Sequence, residues 1–452
     1  MALAVLAGSA IATGPIPERP DFPPNIVLIV TDDQSYGTLP STTPGMPWLQ
    51  SQISDPDGHW SWFPNAFVNT PLCCPSRASI LTGLYSHNTG VRDNTEGHLF
   101  DETETLATWL HDAGYHTMLV GKYLNHFPFQ RGPYIPPGWD RFLAKGNDAD
   151  ATVYENYPFY ENGVPYRVGD TPETYVTDLL ADRAVGYLRA APKDRPFFLY
   201  FAPPAPHAPR IPADRYGGAF ANASILISPA VDEADVSDKP AWVQALPRLD
   251  PGRLAALLEE QRRERETLLA VDDAVRRLFE TLEGTGELDR TVVFFLTDNG
   301  FSYGEHRFVG KPCPYDACTR TAFAAFVPIA GHVVRDDMVS NVDLAPTIAS
   351  WAEATMRFTP DGADLTCLLD PHLACPISPG EGVLIEWAGD GLVPAFDALR
   401  TERFLYVEYP DGFRELYDIA RDPAELENVV NDPTYVQDLW RLANLLHRLR
   451  GG

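Results

Sequence analysis

Positive charge is scarce in this sequence of 452 residues, in which 35 lysines and arginines face 62 aspartates and glutamates. The net charge of −27 repels nucleic acids and anionic membranes, so neither is expected as a partner. After the N-terminus the chain has no apolar run of the about 20 residues that a membrane span requires. It also has no internal repeat. If the substrate is an anion, its binding site must therefore supply positive charge locally.

Residues 1–24 differ in character from the rest of the chain. The first 12 are apolar and end in Ala10-Ile11-Ala12, which resembles the cleavage site of a secretory signal, although the usual basic residues are missing before them. A Pro-rich stretch follows at residues 13–24. We expect a signal-like segment and tether, and hence a secreted or periplasmic protein. The alternative is an apolar tail without a targeting role.

Cysteine is also rare, with six residues in the chain. Cys313 and Cys318 are close in sequence, and so are Cys367 and Cys375, so each pair could close a short loop as a disulfide. Such disulfides suit an exported protein, and the alternative is four buried thiols. Neither spacing matches the short Cys pairs of a zinc site, so zinc is not expected.

Apolar runs alternate with helical patterns along most of the chain. The runs are typical of strands buried on both faces and lie at Asn25–Val30, Thr117–Val120, Pro196–Phe201 and Thr291–Leu296. Helical patterns are at Leu106–Ala113, Glu173–Ala191 and Leu254–Leu282. This alternation predicts an α/β fold with a large, mostly parallel sheet flanked by helices.

The pattern changes after about residue 378. Short antiparallel strands are predicted at Val383–Trp387, Ala398–Arg400, Phe404–Glu408 and Arg414–Tyr417, followed by a helix at Thr434–Leu449. We therefore expect a large N-terminal domain at residues 25–378 and a smaller C-terminal antiparallel-sheet subdomain at residues 379–452.

Polar side chains follow each of the four apolar strands at the point where the strand ends. They are Asp32 and Asp33, Lys122, His207, and Asp298 with Asn299. Ligands of open α/β sheets bind at the carboxyl ends of the strands, so these side chains are expected to meet in one site.

The acidic residues of this set predict a cation site. Three carboxylates at close range repel one another unless a cation joins them, and oxygen ligands suit Ca²⁺ or Mg²⁺. The alternative for each pair alone is structural, with Asp32-Asp33 capping a loop and Asp298-Asn299 starting a turn.

The segment from Pro71 to Gly83 contains the candidate nucleophile. Pro75 suits the first turn of a helix, which places Cys73 at a helix N-terminus, where free N–H groups favour anions. The alternative is a buried cysteine pair in front of a helix.

The run Cys73-x-Pro75-Ser76-Arg77, followed by Leu81-Thr82-Gly83, resembles the signature of the type I sulfatases. In that family a separate formylglycine-generating enzyme oxidises the first cysteine to Cα-formylglycine. The resemblance extends to Gly-Lys-Tyr-Leu-Asn at residues 121–125, Ala-Pro-His-Ala-Pro at 205–209 and Asp-Asn-Gly at 298–300, and it is closest to the N-acetylglucosamine-6-sulfatase-like branch. It implies an alkaline-phosphatase-like sandwich and a sulfuric ester hydrolase.

The resemblance also implies a role for each candidate residue. One Ca²⁺ would be held by Asp32, Asp33, Asp298 and Asn299. The catalytic set would be Cys73 as the formylglycine nucleophile, Arg77 steadying it, Lys122 and Lys311 binding sulfate oxygens, and His207 protonating the leaving alcohol. The hydrated aldehyde carries two hydroxyls on one carbon, so one can attack sulfur and the other can expel sulfate, which a serine could not do.

Some positions depart from the family pattern, and some alternatives stay open. Leu124 stands where many sulfatases have a histidine, and His306 is either an assisting or a structural residue. The substrate is expected to be a sulfated carbohydrate or an aryl sulfate, with specificity coming from residues 130–170 and 205–250. Two alternatives remain: a phosphonate monoester hydrolase or phosphodiesterase of the same superfamily, and a non-catalytic binder of sulfated glycans.

Overall fold

The computed structural model describes residues 23–146, 154–169, 171, 174–375 and 382–451. The predicted signal-like segment lies outside these residues, except for its last two positions. The strands are β1 (Asn25–Thr31), β2 (Trp60–Trp62), β3 (Ala66–Phe67), β4 (His116–Gly121), β5 (Arg141–Lys145), β6 (Pro158–Glu161), β7 (Val164–Arg167), β8 (Phe197–Ala202), β9 (Thr291–Thr297), β10 (Ser302–Tyr303), β11 (Val309–Gly310), β12 (Phe323–Phe326), β13 (Val333–Val334), β14 (Val339–Ser340), β15 (Val383–Trp387), β16 (Phe396–Arg400), β17 (Phe404–Glu408) and β18 (Arg414–Asp418). The helices are α1 (Pro47–Ile53), α2 (Cys73–Thr82), α3 (Ser86–Thr89), α4 (Leu106–Asp112), α5 (Val176–Ala190), α6 (Ala241–Gln244), α7 (Pro251–Gly284), α8 (Asp316–Thr319), α9 (Leu344–Trp351), α10 (Thr366–Leu369) and α11 (Val436–Leu449).

A ten-stranded mixed sheet organises most of the described chain. Its order is β13-β2-β12-β9-β1-β8-β4-β5-β6-β7. The central strands β9, β1, β8, β4 and β5 run parallel to one another. β12 is antiparallel to β9 on one side, and β6 is antiparallel to β5 on the other. The four strands predicted from apolar runs are therefore adjacent, and their carboxyl ends lie at one edge of the sheet.

The central strands are apolar throughout because both faces of the sheet are covered. Side chains of β1 alternate between two cores: Leu28 packs in the core that contains α2, α4 and α9, and Ile29 packs in the core that contains α5 and α7. All seven residues of β1 and all seven of β9 are buried. The expected α/β fold with helices on both sides is confirmed.

The observed helix bounds follow local capping. Helix α7 begins at Pro251, three residues before the predicted start, because Asp250 caps it by accepting hydrogen bonds from the backbone N–H groups of Gly252 and Arg253. Pro251 suits the first helical position, where an N–H group would have no partner.

A separate antiparallel sheet, β15-β16-β17-β18, forms near the C-terminus, as predicted. One face packs on α11 through Leu384, Leu416 and Leu446. The other face packs on residues of the larger part of the chain, such as Phe67 and Tyr315. The expected boundary at residue 378 lies outside the described residues, so the division into two domains stays a prediction.

Two disulfides close short loops, Cys313–Cys318 and Cys367–Cys375, and both pairs match the predicted pairing. Among the described helices, none is long and apolar enough to cross a membrane.

Candidate active site

The ends of the central strands are joined by backbone hydrogen bonds that bring the polar residues together. The N–H of Asp33 donates to Asp298 Oδ1 (3.1 Å), which links the end of β1 to the end of β9. The N–H of Asp32 donates to the carbonyl of Ala205 (3.3 Å), and the N–H of Lys122 donates to the carbonyl of the last residue of β8 (2.7 Å). Residues far apart in sequence thus share one sheet edge.

Cys73 is the first residue of α2, and its side chain is fully buried against this edge. Its Sγ accepts a hydrogen bond from Lys311 Nζ (2.6 Å) and lies 3.4 Å from Asp32 Oδ1 and 3.7 Å from Asp33 Oδ1. Burial and the charge of Asp32 raise the pKa of the Cys73 thiol, so the unmodified side chain stays protonated at neutral pH. An unmodified cysteine is therefore a poor nucleophile here.

Three buried ion pairs surround Cys73. They are Lys122 Nζ–Asp32 Oδ2 (2.6 Å), Lys311 Nζ–Asp33 Oδ1 (2.7 Å) and Arg77 Nε–Asp298 Oδ2 (2.8 Å). Burial alone would raise the pKa of Asp32, but Lys122 and the other cations hold it well below its usual range. Burial and the charge of Asp32 raise the pKa of Asp298 to about 6. The three carboxylates are balanced by three cations.

Arg77 connects α2 to the strand ends by hydrogen bonds. Its Nη1 donates to the carbonyl of Lys122 (3.1 Å) and its Nη2 donates to the carbonyl of Thr31 (3.4 Å). The spacing of four residues places Arg77 one helical turn from Cys73 on the same face of α2. Arg77 therefore fixes the position of the helix N-terminus relative to Asp298.

The donor set fits a hard divalent cation. Asn299 Nδ2 donates to Asp33 Oδ1 (2.8 Å) and to the carbonyl of Gly300 (2.9 Å). The buried Asn299 Oδ1 has no hydrogen-bond partner among the described residues. An unsatisfied buried acceptor costs about 1–3 kcal/mol, which a bound cation would remove. Ligand atoms of Asp32, Asp33, Cys73 and His207 lie within 4.8 Å of one another. Carboxylate and amide oxygens are the ligands that Ca²⁺ prefers.

His207 lies at the rim of this cluster. Its Nδ1 is 2.7 Å from the carbonyl of Ala208, and because a carbonyl only accepts, Nδ1 carries a proton. Its Nε2 lies 3.6 Å from Asp33 Oδ2. Burial lowers the pKa of His207 below its usual value, although Asp33 and Asp32 partly offset this effect. The imidazole is therefore neutral at pH 7 in the free protein.

His306, the other histidine considered from the sequence, lies in different surroundings. His306 is fully buried, its Nδ1 lies 2.6 Å from Glu233 Oε2, and its ring packs on Tyr315. These contacts belong to a separate cluster near the C-terminal sheet and indicate a structural role for His306.

A cavity of about 110 Å³ adjoins the cluster and contains residues that the sequence analysis missed. It is lined by Asp32, Lys122 and His207 of the cluster, and also by Asn125, His126 and Lys145. Lys145 is the last residue of β5, so it lies at the same sheet edge as Lys122. The apolar run of β5 is only three residues long, which is too short to predict a strand. The one signal for Lys145 in the sequence is that a lysine directly follows this run.

Comparison with known proteins agrees with this arrangement. The sulfatase family model matches residues 24–354, and the N-sulphoglucosamine sulphohydrolase C-terminal model matches residues 304–451. The N-acetylglucosamine-6-sulfatase of Homo sapiens is 31% identical over 90% of this chain and 81% of its own length.

Solved structures show the same fold. The structure of BT4656 in complex with its substrate D-glucosamine-2-N,6-O-disulfate superposes with a TM-score of 0.80 at 24% identity, covering 95% of this chain and 97% of that one. The phosphonate monoester hydrolase of Agrobacterium radiobacter superposes with a TM-score of 0.77 at 20% identity, covering 95% of each chain. The chain belongs to the sulfatase family, has its alkaline-phosphatase-like fold and is a sulfuric ester hydrolase.

Proposed function

We propose that the protein hydrolyses a sulfate ester of a glucosamine-type sugar to the alcohol and inorganic sulfate, with Cys73 converted to formylglycine and one Ca²⁺ bound. The observation that carries this proposal is the contact of Cys73 Sγ with Lys311 Nζ at 2.6 Å, inside a cluster of carboxylates that has one unsatisfied amide oxygen. A nucleophile position, a cation site and anion-binding lysines thus share one buried site.

Charge balance supports an anionic substrate. The three carboxylates Asp32, Asp33 and Asp298 are neutralised by Arg77, Lys122 and Lys311. A bound divalent cation therefore gives the site a net positive charge, which would attract a sulfate ester to a protein whose overall charge is −27. This is the local positive field that the composition of the chain requires.

The cation would be held by the oxygens of Asp32, Asp33, Asp298 and Asn299. When bound, Ca²⁺ supplies Lewis-acid stabilisation of the charge on a sulfate oxygen. The aldehyde hydrate at position 73 supplies two hydroxyls on one carbon, one for attack on sulfur and one for release of sulfate.

The chain's own side chains bind the sulfate and move protons. Lys122 and Lys311 would donate hydrogen bonds to sulfate oxygens, because their Nζ atoms lie on either side of the Asp32-Asp33 pair. Nε2 of His207 is the atom positioned to move a proton to the leaving oxygen. A bound anionic ester would raise the pKa of His207 again and favour its protonated form.

The substrate class is supported by relatives. The human relative is an N-acetylglucosamine-6-sulfatase, and the BT4656 structure contains a sulfated glucosamine. We infer that the leaving group here is a hydroxyl of a sulfated glucosamine.

Maturation and location follow from the same proposal. Formation of the aldehyde requires a formylglycine-generating enzyme as a partner during maturation. Disulfides at Cys313–Cys318 and Cys367–Cys375 favour an oxidising compartment, in agreement with secretion or export to the periplasm.

The test combines the mass of the Cys73 peptide with a substrate panel. Protein with confirmed aldehyde is assayed on N-acetylglucosamine 6-sulfate, 4-nitrophenyl sulfate, 4-nitrophenyl phosphate and a phenylphosphonate monoester. We expect kcat/KM to be highest for the sulfated sugar. Faster hydrolysis of the phosphonate ester would favour the phosphonate monoester hydrolase alternative, and aldehyde-bearing protein that releases no sulfate from any compound would refute the proposal.

A further inference from the structure

Lysine is the rarest cation of this chain, with five residues in 452. Four of the five lie within 4 Å of a carboxylate, in the pairs Lys122–Asp32, Lys193–Glu287, Lys239–Asp238 and Lys311–Asp33. The fifth, Lys145, has no carboxylate at this distance in the part of the chain that the structure describes. Among the described residues, this half-buried cation therefore has no carboxylate partner of its own, and it can bind an anionic group that enters from solvent.

Lys145 faces the same cavity as the proposed sulfate site. The cavity is lined by Lys122 and His207 but not by Cys73, so it lies beside the proposed sulfate site and does not include the proposed nucleophile. Lys145 and Asn125 also line this cavity. The cavity therefore offers a second positive charge beside the proposed sulfate site.

The position of the Lys145 ammonium group is set by Tyr157. The Nζ atom lies 4.8 Å from the centre of the Tyr157 ring, which is itself buried, and a cation–π contact of this kind orients the charge without neutralising it. Burial and the charge of Lys122 lower the pKa of Lys145 to about 8, so most of the side chain is still protonated at pH 7. Within the described residues, the Lys145 ammonium group is thus held by an aromatic ring rather than by a carboxylate.

We propose that Lys145 contacts a second anionic group on the substrate, so that the enzyme prefers a sulfated sugar carrying another negative charge next to the ester. This inference rests on the proposed hydrolysis of a sulfated glucosamine. The second group is an N-sulfo group on the same sugar or the carboxylate of a neighbouring sugar, since both would accept a hydrogen bond from Lys145.

The test compares one sulfated sugar with and without the second charge. The substrates are D-glucosamine-2-N,6-O-disulfate and N-acetylglucosamine 6-sulfate, and a disaccharide of a uronic acid with N-acetylglucosamine 6-sulfate tests the carboxylate. The main variant is Lys145→Met, which keeps the apolar stem against Tyr157. We expect it to reduce the preference for the doubly charged substrate, as a ratio of kcat/KM values, by about 10-fold or more, which is the usual effect of losing a charge-assisted hydrogen bond.

Two further variants separate this role from a structural one. Lys145→Arg keeps the charge and is expected to recover most of the preference. Lys193→Ala removes an exposed lysine paired with Glu287 and is expected to leave the ratio unchanged. In the Lys145→Met variant, the loss of kcat/KM for the doubly charged substrate should appear in KM rather than in kcat. Added salt should weaken the substrate preference of the wild type but not that of the variant.

The outcomes distinguish this inference from the proposed function. If the wild type cleaves both sugars and Lys145→Met leaves the ratio unchanged, or lowers both kcat/KM values equally, the role of Lys145 is contradicted and the proposed function stands. If aldehyde-bearing wild type cleaves neither sugar, the proposed function is contradicted and this inference with it. A change in ratio only with the disaccharide identifies the carboxylate, and a change only with the disulfate identifies the N-sulfo group.

Discussion

The described chain contains two buried clusters of charged side chains that use the same residue types in different ways. The active-site cluster consists of Asp32, Asp33, Arg77, Lys122, Asp298 and Lys311. The junction cluster, between the large sheet and the C-terminal sheet, consists of Glu233, His306, Asp316, Arg400 and Glu425. Both bury acids and bases in close pairs, but only the first lies at the ends of parallel strands.

The junction cluster satisfies its own carboxylates. Arg400 makes two parallel bonds to Asp316, Nε–Oδ1 at 2.8 Å and Nη2–Oδ2 at 3.0 Å, and the N–H of Asp316 donates to Glu425 Oε1 (3.0 Å). In the active-site cluster, by contrast, the buried Asn299 Oδ1 has no hydrogen-bond partner in the described part of the chain. The junction cluster also has a buried atom without a hydrogen-bond partner among the described residues, but this is the ring nitrogen Nε2 of His306 and not an oxygen. An oxygen acceptor is what a cation such as Ca²⁺ requires, so only the active-site cluster is expected to bind one.

The largest expected effect separates two adjacent cysteines of the active site. Cys73→Ala is expected to reduce kcat by about 1000-fold or more, because the proposed nucleophile is the modified side chain at this position. Cys74→Ala is the matched control: it is equally buried in the same turn of α2, but it packs in the apolar core. Sulfate release by the purified variants is the measurement, and a Cys73→Ala enzyme with full turnover would remove Cys73 from the mechanism.

We expect Ca²⁺ to bind to the active-site cluster and not to the junction cluster. Removal of the ion with a chelator is expected to abolish sulfate release and to lower the melting temperature, because a ligand that binds the folded state stabilises it, and added Ca²⁺ should restore both. Asn299→Ala is expected to weaken the Ca²⁺-dependent rise in melting temperature. Glu425→Gln, in the junction cluster, should leave that rise intact; an equal loss in both variants would contradict the assignment of the metal site.

Stability should depend more on the junction pair than on surface pairs. Arg400→Met removes both short bonds to the Asp316 carboxylate and leaves it, of the described cations, only Arg320, whose Nη1 lies 3.8 Å away, so we expect a loss of about 3 kcal/mol in the free energy of unfolding. Arg357→Met is the control, since its pairs with Glu104 and Asp112 lie at the surface and are worth about 0–1 kcal/mol. Urea unfolding measures both changes. Similar losses of unfolding free energy in the two variants would show that burial does not make the Arg400–Asp316 pair more stabilising than a surface pair.

The sequence predicts the first cluster better than the second for a physical reason. Strands buried on both faces leave a long apolar run, and polar residues such as Asp32 or Lys122 directly after such runs must meet at the sheet edge. The partners of the junction cluster follow no such rule, because Asp316 and Arg400 are joined only by the packing of the C-terminal sheet on the rest of the chain. Lys145 was missed because β5 is short and lies near the end of the sheet.

The smallest expected effect is the pH dependence that His306 gives to the junction cluster. Burial would lower the pKa of His306, but its hydrogen bond to Glu233 and the charge of Glu425 outweigh burial and raise the pKa to about 9, above the ordinary value of 6.5. The protonated form is therefore favoured in the folded state, so its stabilisation is complete below pH 6.5 and is lost as the pH rises to about 9. We expect the melting temperature of the wild type to exceed that of His306→Gln by a few degrees at pH 6.5, and the difference to shrink toward pH 9. A difference that stays constant over this range would mean that His306 stabilises the fold by packing on Tyr315 rather than by its charge. The stabilising role of charge in the junction cluster would then depend on Arg400 alone.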